Sequence, residues 1–461
     1  MARSTIKAGG MGQQGSTEQA GQALPPQPGK QQNSVLKARH VSMISLGGVI
    51  GAGLFVGSGG AIATAGPSVL LSYLLAGGIM FLVNVMLRDI ARAAPGRGSF
   101  IGQIKHALGP LAGFVAGWVY WLVWITALGV EVIAATTLIA PFVPLPFAVI
   151  ELLILGSITA INLLSVRHYG EFEYWLAMIK IVAIISFIGV AVYLLAGQAM
   201  PVASNVFGHG GLAPNGYFAF LAAVPTALFS MTGSEVATIA ALETDEPDRN
   251  IARVTRTVAV RLLLFYLTSL TLILCVMPWS DQVRGVSPFL AVLERFHVPY
   301  AASLMTIVIL SATLSTLNSG LYATSRIILE MAHRGDMPRF FQATSTGGQL
   351  PRRAVIASAC ATLAISTLAV ISPTLIFAFL VSIVGTCIMF YNSLIVWSRL
   401  RLCKTQAWKG WLTLVLLATA LVAMLSMPDS RKELGVGAIA LACLSAIGWL
   451  KMRATAAREG A

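Results

Sequence analysis

Apolar residues in this chain run in long blocks. Twelve such blocks cover residues 41–63, 68–87, 109–139, 147–164, 172–196, 217–242, 257–277, 299–329, 354–371, 374–397, 410–426 and 434–450. A helix needs about 20 apolar residues to cross the hydrocarbon core of a bilayer, at 1.5 Å rise per residue. The pattern therefore predicts an all-α polytopic membrane protein with twelve transmembrane helices. Residues 1–38 read as a disordered cytoplasmic tail rich in Gln, Gly, Pro and Ser, with no cleavable leader. Residues 39–399 read as a core of ten helices, and 400–461 as helices eleven and twelve with a short cytoplasmic end.

Two blocks are interrupted. The first, VSMISLGGVIGAGLFVGSGGAIA, holds Gly47, Gly48, Gly51, Gly53 and Gly57, and each glycine disfavours a helix by about 1 kcal/mol relative to alanine. An unwound backbone in a membrane is tolerated only where it lines a cavity or is buried in protein. Such a stretch is a candidate substrate site between two half-helix ends. Read alone, Gly47/Gly51 and Gly53/Gly57 fit close helix packing equally well. The sixth block, FLAAVPTALFSMTGSEVATIAALE, is broken as well: Pro225 removes a backbone donor, Gly233 loosens the helix, and Ser230, Thr232 and Ser234 crowd Glu235. Blocks one and six are five apart, so equivalent helices run in opposite directions. Two interruptions in corresponding positions mark an inverted repeat, five helices plus five, with the site between the broken members.

Composition agrees with this class. The chain is 56% hydrophobic and 11% charged, with a mean hydropathy of +0.79. Its net charge of +13 would suggest nucleic acid if it were clustered on one domain, but the basic residues are spread through short loops. With the N-terminus inside, 26 Lys and Arg fall on cytoplasmic segments and four (Arg284, Arg295, Arg431, Lys432) on the outer side. That asymmetry puts both termini in the cytoplasm. The five cysteines show no paired spacing, and free thiols are expected.

Three ionisable residues lie deep in the blocks: Glu131 in the third, Lys180 in the fifth and Glu235 in the sixth. Each costs about 2.5–3.5 kcal/mol on insertion scales, so each should face a partner or water. A buried ion pair or a cap on broken backbone is the structural alternative to a functional role. Glu151 and Glu330 read as interfacial charges near span ends.

Longer motifs carry a family resemblance: LKARHVSMISLGGVIGAGLFVGSG (36–59), AGPSVLLSYLL (65–75), GPLAGFVAGWVYWLVWITALGVEV (109–132), NLLSVRHYGEFEYWLAMIKIVAI (162–184), FSMTGSEVATIAALETDEPDRNIARV (229–254) and LSTLNSGLYATSRI (314–327). They resemble the amino acid permeases of the amino acid–polyamine–organocation superfamily, over spans one to eight and more loosely to span ten. The span-six and span-eight motifs look most like the γ-aminobutyrate permease branch. Two departures touch the cytoplasmic gate and the pocket: Arg88-Asp89-Ile90 stands where the family often has Gly-Glu-Leu/Met, and Met231 where the branch often has an aromatic residue.

The resemblance implies a LeuT-type fold with broken helices one and six, in a bacterial inner membrane. It further implies a substrate site at Ile50, Gly51, Ala52, Gly53 and Leu54 of the first break and Phe229, Ser230, Met231, Thr232 and Gly233 of the second. The positive end of the outer half-helix at Gly53–Leu54 suits a substrate carboxylate. Carbonyls near Phe229 and Ser230 suit its ammonium, and Trp118, Tyr120, Trp121 and Trp124 form a wall or simply pack. Lys180 is the expected proton carrier, because in sodium-coupled relatives span five helps build a cation site against span one, and burial disfavours the charged form of a side chain. Glu131 is read as the pocket carboxylate nearest the ammonium and Glu235 as the group holding the broken helix, with either as the alternative proton site.

The leading expectation is a proton-coupled importer of a small amino acid, γ-aminobutyrate first, working by alternating access. It needs no cofactor and no nucleic-acid partner, its partners being substrate, proton and membrane lipid. A permease for another neutral or aromatic amino acid, or an exchanger, is the alternative, and monomer and homodimer stay open. An embedded enzyme is disfavoured: the sequence has no HExxH, no GxSxG, no metal-spaced His/Cys cluster and no Walker A segment. A nutrient sensor would be marked by a large extra cytoplasmic domain, where this chain shows only a tail.

Overall fold

The computed structural model describes residues 49–459 except 98, 165, 198–199, 234, 236–246, 345–349 and 371; the side chains of 166–172, 247–259, 429, 455–456 and 458–459 are also not described. The expected tail at 1–38, the start of the first block and Ser234 lie outside the described residues. Every regular element among the described residues is helical.

A π-helical turn, Gly53–Gly57, leads into α1 (Ser58–Ala65), followed by α2 (Val69–Ala93), α3 (Phe100–Leu108), α4 (Pro110–Ile139), α5 (Phe147–Asn162) and α6 (Val166–Gly197). Next come the short helices α7 (Val202–Phe207), α8 (Ala219–Ala222) and α9 (Val224–Ser230), and then α10 (Pro247–Val276). The remainder is α11 (Pro288–Arg295), α12 (Ala301–His333), α13 (Arg352–Ser366), α14 (Pro373–Leu402), α15 (Ala407–Ser426) and α16 (Pro428–Glu459). Among the described residues, eight helical stretches are long and apolar enough to cross a membrane, and Phe147–Asn162, Ala219–Ser230 and Val260–Val276 are shorter apolar ones. One of the eight, Gly53–Ala93, is divided by Gly66 at φ +62 and Pro67. A side chain on Gly66 would also meet the Pro214 ring at 2.5 Å.

Local chemistry accounts for most boundaries. Proline sits in the first turn of α4, α9, α11 and α14, where a missing N–H leaves no bond unmade. Ser99 and Ser287 cap α3 and α11 by accepting backbone N–H groups of Ile101 and Leu290. The loops hold more helix than the sequence pattern predicts, namely α3, α7 and α11, and α6 starts at Val166 rather than near 172.

Helix α4 is the central pillar, packed against α5, α12, α13, α14 and α16. Helix contacts in lipid depend on close van der Waals fit, which small residues permit. Gly129 faces Ile365, Gly320 faces Leu128 and Trp124, and Gly385 of α14 lies against the Pro225 carbonyl. Large apolar side chains such as Leu152, Leu153, Ile185, Val415, Val422 and Ile439 remain exposed, as a lipid-facing surface requires.

One sequence expectation is corrected here. Glu151 is fully buried in α5, with Ser366 of α13 beside it, rather than an interfacial charge. It lies one turn into a helix whose inner face packs on α13.

The α9–α14 contact offers a stability test. A Cβ at Gly385 would lie 2.4 Å from the Pro225 carbonyl oxygen, whereas one at Gly156 meets nothing within 4 Å. Gly385→Ala is expected to destabilise by about 1–3 kcal/mol and to lower the thermal midpoint of the purified protein in detergent. Gly156→Ala should leave that midpoint equal or higher.

Candidate functional site

The first break is organised by one carboxylate. Val49–Gly51 are non-helical, Ala52 precedes the π-turn, and both Glu131 oxygens accept the Ala52 N–H, at 3.1 and 3.0 Å. Glu131 reaches it from the middle of α4 and is 3% exposed. The Gly51 carbonyl accepts from Leu54 and Phe55 N–H. A side chain on Gly51 would strike Glu131 Oε1 at 2.4 Å and Thr316 Oγ1 of α12 at 2.5 Å. Glycine is thus needed for Glu131 to reach the backbone.

The second break meets the first at Ser230, the last residue of α9. Its hydroxyl donates to the Gly53 carbonyl at 2.7 Å and lies 3.2 Å from the Tyr73 hydroxyl, while its carbonyl accepts from Tyr266 at 2.7 Å. A Cβ on Gly53 would come within 2.7 Å of Ser230 Cα and 3.3 Å of the Phe229 ring. Met231 and Thr232 return their N–H groups to Leu228 and Phe229. Gly233, at φ +105, donates its N–H to Glu235 Oε2 at 3.0 Å, and Tyr120 donates to Glu235 Oε1 at 3.4 Å. Each break therefore has its own buried carboxylate on a backbone N–H.

Lys180 is fully buried on α6 and donates to Ser315 Oγ of α12 at 2.7 Å. That hydroxyl donates in turn to Glu173 Oε1 at 2.5 Å. Glu173 and Glu131 supply the opposite charge around the ammonium. Glu173 is itself fully buried, although the sequence reading counted only Glu131 and Glu235 as acidic residues at depth. Its place at i−7 from Lys180, on the same helix face, is the signal that could have found it. Ser315 and Thr316, inside the LSTLNSG motif, were missed for want of charge.

The structure thus brings Ile50, Gly51, Ala52, Gly53 and Leu54 together with Glu131, Phe229, Ser230 and, through α12, Lys180. Met231, Thr232 and Gly233 lie with Glu235 one turn away. The N–H groups offered to a substrate carboxylate are engaged at Ala52, by Glu131, and at Leu54, by Gly51. The Ser230 carbonyl accepts from Tyr266, and the Phe229 carbonyl from Thr232 and Met231. Of the aromatic set, Trp124 and Tyr120 are buried in α4 packing, with Tyr120 edge-on to Phe100 and Tyr391. Trp118 and Trp121 meet edge to face. A small pocket partly open to solvent lies beside the breaks, lined among others by Gly57, Gly60, Thr64, Thr226, Arg284 and Phe377. Asp89, in the departure from the family motif, pairs with Arg88 and with buried Arg399 of α14.

Non-helical backbone in two apolar segments, joined at Gly53 and Ser230 within a bundle of apolar helices and surrounded by three buried carboxylates and a lysine, fits a membrane transporter. The family profile described as Amino acid permease matches residues 40–450. This chain belongs to the amino acid permease family. It is 37% identical over 439 residues to a protein named probable GABA permease from Pseudomonas aeruginosa, covering 91% of this chain and 92% of that one. It is 37% identical to a γ-aminobutyric acid permease of Bacillus subtilis (87% and 89% covered) and to an aromatic amino acid transport protein of Corynebacterium glutamicum (86% and 90%). These relatives are named as transporters and not as enzymes.

The Gly51 contact yields a functional test. Gly51→Ala should displace Glu131 and lower amino acid uptake on the order of tenfold or more, equivalent to about 1.4 kcal/mol. Gly78→Ala, where a Cβ meets nothing within 4 Å, should transport like the parent. Uptake per amount of protein in the membrane is the measurement.

Proposed function

We propose that this protein imports a small amino acid by proton symport across a bacterial inner membrane, with γ-aminobutyrate the first candidate. The substrate reading is supported by the relatives named for γ-aminobutyrate. The relatives named for aromatic amino acids keep a neutral or aromatic substrate, or exchange, as the second reading. The observation that carries proton coupling is the setting of Lys180: a buried ammonium bridged by Ser315 to Glu173, with Glu131 of the first break as a second opposite charge nearby.

The mechanism follows from who holds the Ala52 N–H. A substrate carboxylate seeking the positive end of the outer half-helix competes with Glu131 for that donor. Once Glu131 yields it, the freed carboxylate stands near Lys180 and the substrate ammonium, and the charge balance around Lys180 changes. The negative end of α9, at the Phe229 and Ser230 carbonyls, receives the ammonium. Met231 and Phe229 shape the pocket. Binding of substrate and retention of a proton are then linked through one carboxylate.

Proteoliposomes given labelled amino acids with and without an inward pH gradient test this reading. Lys180→Ala should abolish accumulation driven by the gradient while the protein still inserts. Lys180→Arg should fail too, since a guanidinium does not deprotonate at working pH. An Arg variant that concentrates substrate like the parent would make Lys180 a strut.

The same reading includes twelve crossings, five plus five inverted helices and cytoplasmic termini, supported by the split of basic residues. Cysteines introduced at the exposed positions Tyr217 and Lys432 should react with an impermeant reagent from outside, and those at Arg339 and Lys404 should not. The reverse pattern, after subtraction of native cysteine signal, would sink the orientation.

A further inference from the structure

Lys180 and Glu173 share one face of α6 but stand seven residues apart, roughly 10 Å along the axis. Ser315 fills the gap, accepting from Lys180 Nζ at 2.7 Å and donating to Glu173 Oε1 at 2.5 Å. All three side chains are 0% exposed. Glu131, the other carboxylate near Lys180, has both oxygens on the Ala52 N–H. Glu173 also has a buried second oxygen, Oε2, and the side chains of Asn318 and Ser319 are hydrogen-bonding neighbours of this carboxyl. Asn318 Oδ1 then accepts from Asn162 Nδ2 at 2.9 Å. Asn162 ends α5, is half-buried, and leads to exposed Leu164. Polar groups thus run from the buried lysine toward the end of the bundle where α6 begins.

We propose that Glu173 receives the proton that Lys180 gives up, with Ser315 as the relay, so that the α6–α12 seam is the route of proton release to the cytoplasm. This rests on the reading of Lys180 as proton carrier and of the start of α6 as cytoplasmic. A hydroxyl has one donor and two acceptor lone pairs. An N–H bond of Lys180 breaks as its proton bonds to Ser315 Oγ, while the original Ser315 O–H breaks and its proton bonds to Glu173. The lysine becomes a neutral amine, Glu173 a neutral acid, and the serine is unchanged. One positive and one negative charge vanish together, so the step leaves no uncompensated charge in a low-dielectric interior. Glu173 is reset by losing its proton to water at the cytoplasmic end.

The test uses the full chain in proteoliposomes, with labelled γ-aminobutyrate and labelled phenylalanine as probes. Glu173→Gln keeps an acceptor oxygen for Ser315 but cannot take a proton. Accumulation driven by a pH gradient should fall on the order of tenfold or more, while counterflow of labelled against unlabelled substrate survives. Ser315→Ala should split the two readouts in the same way, and Ser315→Thr, which keeps the hydroxyl, should restore accumulation. A purely structural role for Glu173 would move both readouts together, and that result overturns the relay, as does a Glu173→Gln variant that concentrates substrate like the parent. If Glu173→Gln cannot be recovered from membranes, the Ser315 pair decides: parental accumulation by Ser315→Ala overturns the relay. Loss in Lys180→Ala with none in the Glu173 and Ser315 variants sinks the relay alone. Full accumulation by Lys180→Ala would sink the underlying coupling as well.

Discussion

A helix broken inside a membrane leaves N–H and C=O groups that no water can reach, and each unmet group costs several kcal/mol. The surroundings of both breaks answer this constraint. Glu131 takes the Ala52 N–H, Glu235 takes the Gly233 N–H, and Tyr266 covers the Ser230 carbonyl. A carboxylate is also expensive to insert, at about 2.5–3.5 kcal/mol, but a charge-assisted bond to backbone N–H is roughly twice as strong as a neutral one. Two costly features, an open backbone and a buried charge, thus offset each other. The first break depends on a carboxylate from another helix, and the second on one two residues along its own segment together with Tyr266 of α10.

The glycines of the first span show that packing and site are not separate explanations. Gly53 lets the first break come within contact of Ser230 Cα, which is packing in the ordinary sense. That contact is also what presents the Gly53 carbonyl to the Ser230 hydroxyl. Gly51 makes room for a carboxylate where any side chain would collide with both Glu131 and Thr316. Close approach of backbone to a polar group is the reason glycine is used here, whether that group belongs to the protein or to a substrate.

How much could be read beforehand varied with the kind of signal. The breaks were visible because Gly, Pro and Ser interrupt apolar runs, and the deep charges Glu131, Lys180 and Glu235 stood out against their neighbours. Their partners were not. Ser315, Thr316, Tyr73 and Tyr266 come from helices remote in sequence, and a serine or tyrosine in an apolar run looks the same whether it bonds its own helix or another. Glu173 was hidden for another reason: in GEFEYW it sits beside Glu171, so the segment resembled a polar flank, and only the fold puts it inside. Glu151 misled similarly, because depth was judged from distance to a span end and not from which neighbour covers it. The π-turn at Gly53–Gly57 has no sequence mark at all. It arises where the chain re-enters helix after the bond to Glu131.

Helix α12 ties these pieces together. Thr316 borders the seat where Glu131 meets the first break, and Ser315, the preceding residue, bridges Lys180 and Glu173. Consecutive residues on a helix point about 100° apart, so adjacent side chains of one element serve two clusters on different neighbours. In the proposed cycle, substrate competes with Glu131 on one side of α12 while the proton moves on the other. No long pathway is needed to connect them, because Glu131 and Glu173 act on the same ammonium. In that cycle, removing one carboxylate from its seat alters the charge that Lys180 faces, and this local change is the proposed link between retention of the proton and occupancy of the substrate site.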